Sequence, residues 1–189
     1  MNRKTKYIQM RKIEPIDIMR YYVTYIDTEK QILNDIRAKS EITRVDAYNK
    51  YVHKHMKIGR NFRSGTVHMV LGATENYFRL AKFDVEELSK IYASSGLLSG
   101  QNKNAVVAAS KLLWLFAKEI IIMDNVNMKN LGAKDYESYV TKWLEKFETV
   151  EQEITDVINK YFINIDPVFE EKWFRMRIFD QYLLTQNKV

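Results

Sequence analysis

The sequence predicts an all-α fold, a compact bundle of roughly eight to ten helices. Apolar residues recur at helical spacing along the 189-residue chain, and no segment alternates polar and apolar residues as a half-buried strand would. Only two prolines and six glycines interrupt the chain, while 46% of its residues are hydrophobic. We therefore expect one tightly packed domain over residues 1–189.

Within this domain we distinguish three stretches: basic N-terminal helices at 1–83, a hairpin with a central apolar segment at 84–132, and C-terminal helices at 133–189. Local signals place several helix starts. They are Pro15 in a first turn, Thr28 as a cap, Asp84 in a capping-box-like pair with Glu87, Asp135 as a cap, a further helix carrying Ile154, and Asp166 before the last helix.

The composition also excludes some kinds of site and bears on where the protein is located. The chain has no cysteine, which excludes disulfides, thiolate metal sites and a cysteine nucleophile. The basic start at Met1 meets the mixed stretch Tyr7 to Lys12 instead of an apolar export segment, so we expect a cytoplasmic protein. Ala105 to Met123 is nearly apolar, but Lys111, Lys118 and Glu119 make it a core segment and not a membrane span.

Positive charge is concentrated near the N-terminus. Residues 1–63 hold 15 Lys and Arg against seven Asp and Glu, and the whole chain carries a net charge of +6. Residues 47–74 contain no acidic residue. This stretch is either a solvated helix face or a surface that contacts a DNA backbone. The candidate contacts there are Lys50, Lys54, Lys57, Arg60, Asn61 and Arg63.

Familiar enzyme motifs are missing from the sequence. It has no nucleophile elbow, phosphate-binding loop, dinucleotide fingerprint or zinc-protease motif. His53 and His55 are two residues apart on a predicted helix, so they should point to nearly opposite faces and not share a metal ion. We expect no metal and no cofactor.

The central segment carries the most informative pattern. Ala105 to Ala117 has one charged residue, Lys111, which either extends to an edge of the helix or lies in a pocket. A second apolar run then ends at Asp124, which begins another helix. Asp124 can be a simple helix cap. It can also be a partly desolvated carboxylate that stabilises a developing positive charge.

The order of hairpin (Gly96 to Lys103), apolar helix and helix-opening aspartate resembles the helix-hairpin-helix DNA glycosylase superfamily. The resemblance covers about residues 84 to 147, with helices on both sides, and implies a glycosylase-like helical fold. It implies that Asp124 stabilises the oxocarbenium-like sugar as a flipped base departs. It also implies phosphate contacts from the hairpin, at Ser99, Gly100, Gln101, Asn102 and Lys103.

The chain departs from that superfamily at two points. Its hairpin has only Gly100 where the superfamily has Gly-x-Gly. The nucleophilic lysine of bifunctional members, roughly 18 or 19 residues before the aspartate, falls here on Ala105 or Val106. The resemblance therefore implies a monofunctional enzyme, which leaves an abasic site without cutting the strand.

A narrower resemblance involves the helix Ser110-Lys111-Leu112-Leu113-Trp114 before Asp124. It is similar to small bacterial phage-defence glycosylases that excise glucosylated hydroxymethylcytosine. This implies a roomy pocket for a modified base, with Lys111 as a second catalytic candidate. The expected pocket residues are Asn125, Asn127 and Trp114.

These observations support one leading hypothesis and two others. The first is a monomeric DNA glycosylase that acts on double-stranded DNA and has no membrane partner. The second is a non-enzymatic helical nucleic-acid-binding or regulatory protein, in which Asp124 is only a cap. The third is a protein adaptor that docks through its C-terminal aromatic stripes.

Overall fold

A computed structural model describes residues 10–100 and 105–186 and confirms the all-α class. Two π-helical segments, Tyr25–Glu29 and Lys50–His55, and two 3-10 turns, Gly59–Asn61 and Pro167–Glu170, accompany the α-helices. In the described ranges, the α-helical segments are α1 Pro15–Thr24, α2 Lys30–Asp35, α3 Glu41–Asn49, α4 Val67–Arg79, α5 Val85–Ser94, α6 Val106–Trp114, α7 Asn125–Asn130, α8 Tyr136–Tyr161 and α9 Lys172–Thr185.

These helices belong to two compact units. One comprises Met1–Tyr22 and Met123–Val189, and the other comprises Val23–Ile122. We call them the terminal unit and the central unit. Among the helices that the structure describes, none is long and apolar enough to cross a membrane.

Helix α8 organises the terminal unit. Asp135 caps it, as the sequence predicts, and accepts from the Ser138 amide at 2.8 Å. The Ser138 side chain completes a capping box there, which was not predicted. The separate helix expected around Ile154 is instead part of α8, since an unbroken apolar stripe keeps the helical period through Tyr161. Within the stripe, the Trp143 ring stacks on Phe147 with centroids 5.0 Å apart.

A carboxylate is buried beside this aromatic stripe. The Trp143 Nε1 donates to Asp180 Oδ1 at 2.8 Å, and Arg177 Nη1 donates to Oδ2 at 2.7 Å. Burial raises the pKa of Asp180 to about 6, against the opposing effects of Arg177 and of the Trp143 hydrogen bond. The α9 helix is thus held to α8 by a group whose charge is costly to bury.

Helix α6 is the buried centre of the central unit. Its residues from Ala108 to Trp114 are all buried, and the apolar run that follows is buried from Ile120 to Ile122. The α6 helix is tied at its N-terminus to α5, because the Ala105 amide donates to Ser89 Oγ at 2.7 Å. The predicted burial of the apolar segment is confirmed.

A buried hydroxyl network joins three other helices of this unit. Thr74 of α4 is fully buried, and its Oγ1 lies 3.2 Å from the Tyr48 hydroxyl of α3 and 2.7 Å from the Tyr92 hydroxyl of α5. Burial is the main cause of the raised pKa values of Tyr48 and Tyr92. Because each hydroxyl has a partner, the network fixes the helices without leaving unpaired polar groups.

Two further expected helix starts are wrong. Thr28 does not begin a helix, because the π-helical segment Tyr25–Glu29 runs directly into α2 and leaves no free helix end to cap. Asp166 caps only the 3-10 turn Pro167–Glu170, accepting from the Val168 amide at 2.9 Å, and α9 begins later, at Lys172.

The buried carboxylate gives a pH-dependent stability. Because the pKa of Asp180 is raised in the folded state, the protonated carboxyl stabilises the fold. This contribution to the free energy of unfolding is complete below the unfolded-state pKa of 3.8 and is lost as the pH rises through about 6. A carbon NMR titration of the Asp180 carboxyl should show a midpoint near pH 6. A midpoint at or below 4 would contradict the burial argument.

The Trp143→Phe variant should raise this midpoint further, since the ionised carboxylate loses its Nε1 donor. It should also lower the free energy of unfolding by about 1–3 kcal/mol. Urea denaturation at neutral pH measures this loss. Unchanged stability would show that the hydrogen bond contributes little.

Candidate nucleic-acid interface

The structure joins the hairpin to the basic loop of residues 59–65. Phe62 and Leu98 form an antiparallel bridge, in which the Arg63 amide donates to the Leu97 carbonyl at 2.9 Å and the Ser99 amide to the Asn61 carbonyl at 2.9 Å. Two candidate DNA-contacting segments, far apart in sequence, are therefore one surface of the central unit. We call this surface the loop–hairpin surface.

Aromatic packing anchors this surface to the core. Phe62 is buried and meets the Tyr92 ring edge-on, with centroids 5.5 Å apart. Leu97 and Leu98 of the hairpin are also buried. The bridge thus places apolar side chains inward and leaves the intervening polar residues at the surface.

Five cations of residues 47–74 are exposed. In the part of the chain that the structure describes, none of them forms an ion pair with a carboxylate. They are Lys50, Lys54, Lys57, Arg60 and Arg63. Because neighbouring acids do not neutralise them, they produce a positive potential that favours a polyanion.

The bridge engages some polar groups that the sequence assigned to DNA contact. Asn61 Nδ2 donates to the Ile58 carbonyl at 2.8 Å, and Ser99 Oγ donates to the Arg60 carbonyl at 2.5 Å. Arg63 Nε donates to the Leu98 carbonyl at 3.2 Å, and within residues 10–100 and 105–186 its terminal nitrogens have no acceptor. Asn61 and Ser99 hold the loop and the hairpin together, and their contact with DNA stays a prediction.

Glycines give the hairpin its turns. Gly96 and Gly100 have φ values of +67° and +60°, a left-handed conformation that a side chain would strain. Gly100 is exposed. The remaining predicted phosphate contacts of the hairpin, Gln101, Asn102 and Lys103, lie outside the described residues.

The histidines of the Lys50–His55 segment face different surroundings. His55 Nε2 lies 2.7 Å from Oε1 of the buried Glu29. His53 is exposed and its ring covers the Cα of Gly59, where an added Cβ would lie 2.1 Å from Nδ1. The two rings therefore do not meet, as their spacing predicts. No cluster of three or more metal-ligating side chains occurs among residues 10–100 and 105–186.

Asp124 lies in the terminal unit, at the start of α7. Its Oδ1 accepts from the Val126 amide at 2.8 Å, so the aspartate is a helix cap. It is half-buried. Burial is the main cause of the raised pKa values of Tyr139 and Asp180, and the Asp124 charge raises both further. The carboxylate field thus reaches two buried groups of this unit.

The two asparagines after Asp124 differ. Asn125 is exposed at the first position of α7. Asn127 is 1% exposed, and its Nδ2 donates to the Asp180 carbonyl at 3.1 Å, which holds α7 against α9. Asn127 Oδ1 is buried and accepts no hydrogen bond within the described ranges. As a substrate contact, Asn125 is accessible, whereas Asn127 is held in the packing.

Lys111 and Trp114 belong to the buried surface of α6. Lys111 is 9% exposed, so most of the residue is buried, and its carbonyl accepts from the Tyr51 hydroxyl at 2.9 Å. Trp114 is 1% exposed, with Lys118 Nζ 3.3 Å from its ring centroid. This cation–π contact offsets part of the cost of burying the ammonium.

Several residues of these sites escaped sequence reasoning. Tyr139 and Asp180 carry no sequence signal that links them to Asp124, and only the fold brings them near it. The signal that could have drawn attention to Gly59 is its position between two cations in a segment without acids.

No protein-family model, curated protein or solved structure matches the chain. Its function is therefore inferred from the residues described above.

The exposed cations should set the salt dependence of DNA binding. For Lys54→Gln, we expect the slope of log K against log salt concentration to fall in magnitude by about one, since one phosphate contact is lost. Lys172→Gln is the matched control, because Lys172 is exposed and also lacks an ion pair, but lies in the terminal unit. Fluorescence anisotropy over a salt series measures both slopes. Equal slopes for the two variants would argue against this surface.

Proposed function

We propose that this protein is a monofunctional DNA glycosylase that flips a modified or damaged base out of double-stranded DNA and excises it. The half-buried Asp124 at the start of α7 carries the proposal. Its carboxylate would stabilise positive charge on the sugar as the glycosidic bond breaks and would assist the attack of water. The product would be an abasic site.

The hydrogen bonding of Asp124 supports this role. One carboxylate oxygen, Oδ1, accepts from the Val126 amide, which fixes the orientation of the group. A carboxylate that is oriented before the reaction stabilises a developing cation without reorganisation. Capping and catalysis are therefore compatible functions of the same side chain.

The loop–hairpin surface supports a DNA substrate. It combines five exposed cations that form no ion pair in the described ranges with a hairpin in which Gly100 is exposed. Such a surface would hold the sugar–phosphate backbone while the base leaves the stack. Lys111 is a weaker candidate than Asp124, because most of the residue is buried within α6.

The resemblance to phage-defence glycosylases makes modified phage DNA the preferred substrate class. We expect a monomer that acts in the cytoplasm as part of antiviral defence. A non-enzymatic nucleic-acid-binding protein remains the second candidate, favoured by the same cations, since they need no catalytic group to bind DNA.

Activity should depend on the charge of Asp124. In Asp124→Asn, the amide still caps α7, so stability changes little, but base excision falls by at least about a hundredfold as charge stabilisation is lost. The assay incubates the protein with normal, damaged and glucosylated DNA and detects abasic sites. Strand cleavage by Schiff-base chemistry should be absent.

The matched control is Asp84→Asn. Asp84 is also an N-cap, accepting from the Glu86 and Glu87 amides, but it begins α5 in the central unit. This variant should retain full activity. Abasic sites on no substrate, or full activity in Asp124→Asn, would favour the non-enzymatic alternative.

A further inference from the structure

A small cavity lies beneath the basic loop of the central unit. Its volume is about 230 Å³, less than the roughly 300–1,000 Å³ of pockets that enclose drug-sized ligands. None of the residues that line it is acidic. They are Val45, Asn49, His53, Gly59, Phe62, Arg63, Ser64, Gly65, Val67 and His68.

The polar side chains of this cavity are suited to an oxyanion. Two imidazoles, His53 and His68, can donate from ring nitrogens, and Arg63 carries a guanidinium. Asn49 and Ser64 add neutral donors. Arginine with hydroxyl and amide donors is the usual combination at nucleic-acid phosphates.

The start of α4 strengthens the positive character of the cavity. Thr66 precedes α4 but does not cap it, because its hydroxyl donates to the Arg63 carbonyl at 2.7 Å. Val67 and His68, the first residues of α4, line the cavity. The positive end of the helix dipole therefore adds to the charge of the side chains.

We propose that this cavity holds one backbone phosphate of a DNA duplex bound to the loop–hairpin surface. The inference rests on the DNA partner of the proposed function and adds His53, His68, Asn49 and Ser64 to its binding residues. Arg63 links the cavity to the hairpin. Its side chain lines the cavity, and its Nε donates to the Leu98 carbonyl of the hairpin.

Gly59 determines where the His53 ring sits. A Cβ at this position would lie 2.1 Å from His53 Nδ1 and 2.4 Å from Cε1, so an alanine must displace the exposed ring. The ring is the end of a side chain and can move without disturbing the backbone. We therefore expect Gly59→Ala to change the shape of the cavity and to leave the fold intact.

The three histidines of the chain provide an internal comparison. In the full-length protein with labelled histidines, a short unmodified DNA duplex should shift the ring signals of His53 and His68 together. Both shifts should saturate at one apparent Kd. The ring of His55, paired with the buried Glu29, should not shift. Unmoved His53 and His68 signals at saturating duplex, or equal shifts of all three rings, would overturn the proposal.

Two glycine variants complete the experiment. Gly59→Ala should weaken duplex binding by roughly two- to tenfold, the effect of losing one or two hydrogen bonds. Gly72→Ala is the control, since its added Cβ meets nothing within 4 Å, and its affinity should not change. Equal affinities for the two variants would count against the cavity.

The two proposals can fail separately. Histidine shifts without any abasic product would retain the phosphate site and reject the glycosylase. Abasic product from a protein whose His53 and His68 signals do not respond to duplex would reject the phosphate site and retain the glycosylase.

Discussion

The burial of α6 is the constraint on which the central unit depends. Water does not reach the backbone groups of a helix that has no exposed face, so neighbouring residues must supply any hydrogen bonds that the helix itself does not. Ser89 of α5 accepts from the Ala105 amide, and Tyr51 donates to the Lys111 carbonyl. The hairpin follows α5, and the basic loop follows the segment that contains Tyr51. Fixing both elements on α6 therefore brings the loop and the hairpin close enough to form the Phe62–Leu98 bridge.

Local features of this fold were predictable because their causes are local. Asp84, Asp124 and Asp135 all cap helices, as a short polar side chain before an apolar periodic stretch indicates. The π-helical segment Lys50–His55 was not predicted, because the sequence pattern of a π-turn does not differ from that of an α-helix. The bridge was also missed, because backbone groups form it and carry no sequence signature.

The candidate site was predictable in part. Charge counting identified the basic segment, and the structure adds that its five cations are exposed and, in the described ranges, without carboxylate partners. Burial could not be predicted by counting residues. The resemblance to phage-defence glycosylases placed Trp114 in a substrate pocket, yet its ring is packed under the Lys118 ammonium. Sequence spacing gives the side of a helix, whereas neighbours from distant segments decide what covers that side.

The capping role of Asp124 does not exclude the chemical role that we propose for it. Its cap uses Oδ1, and the remaining negative charge still acts on its surroundings, since it raises the pKa values of Tyr139 and Asp180. Burial raises the pKa of Asp180 to about 6, so this carboxyl group ionises as the pH rises through that value. Its negative charge then adds to that of Asp124, although Arg177 is paired to it. A cation that develops beside Asp124 would gain from both, and the gain would be larger above pH 6 than below it.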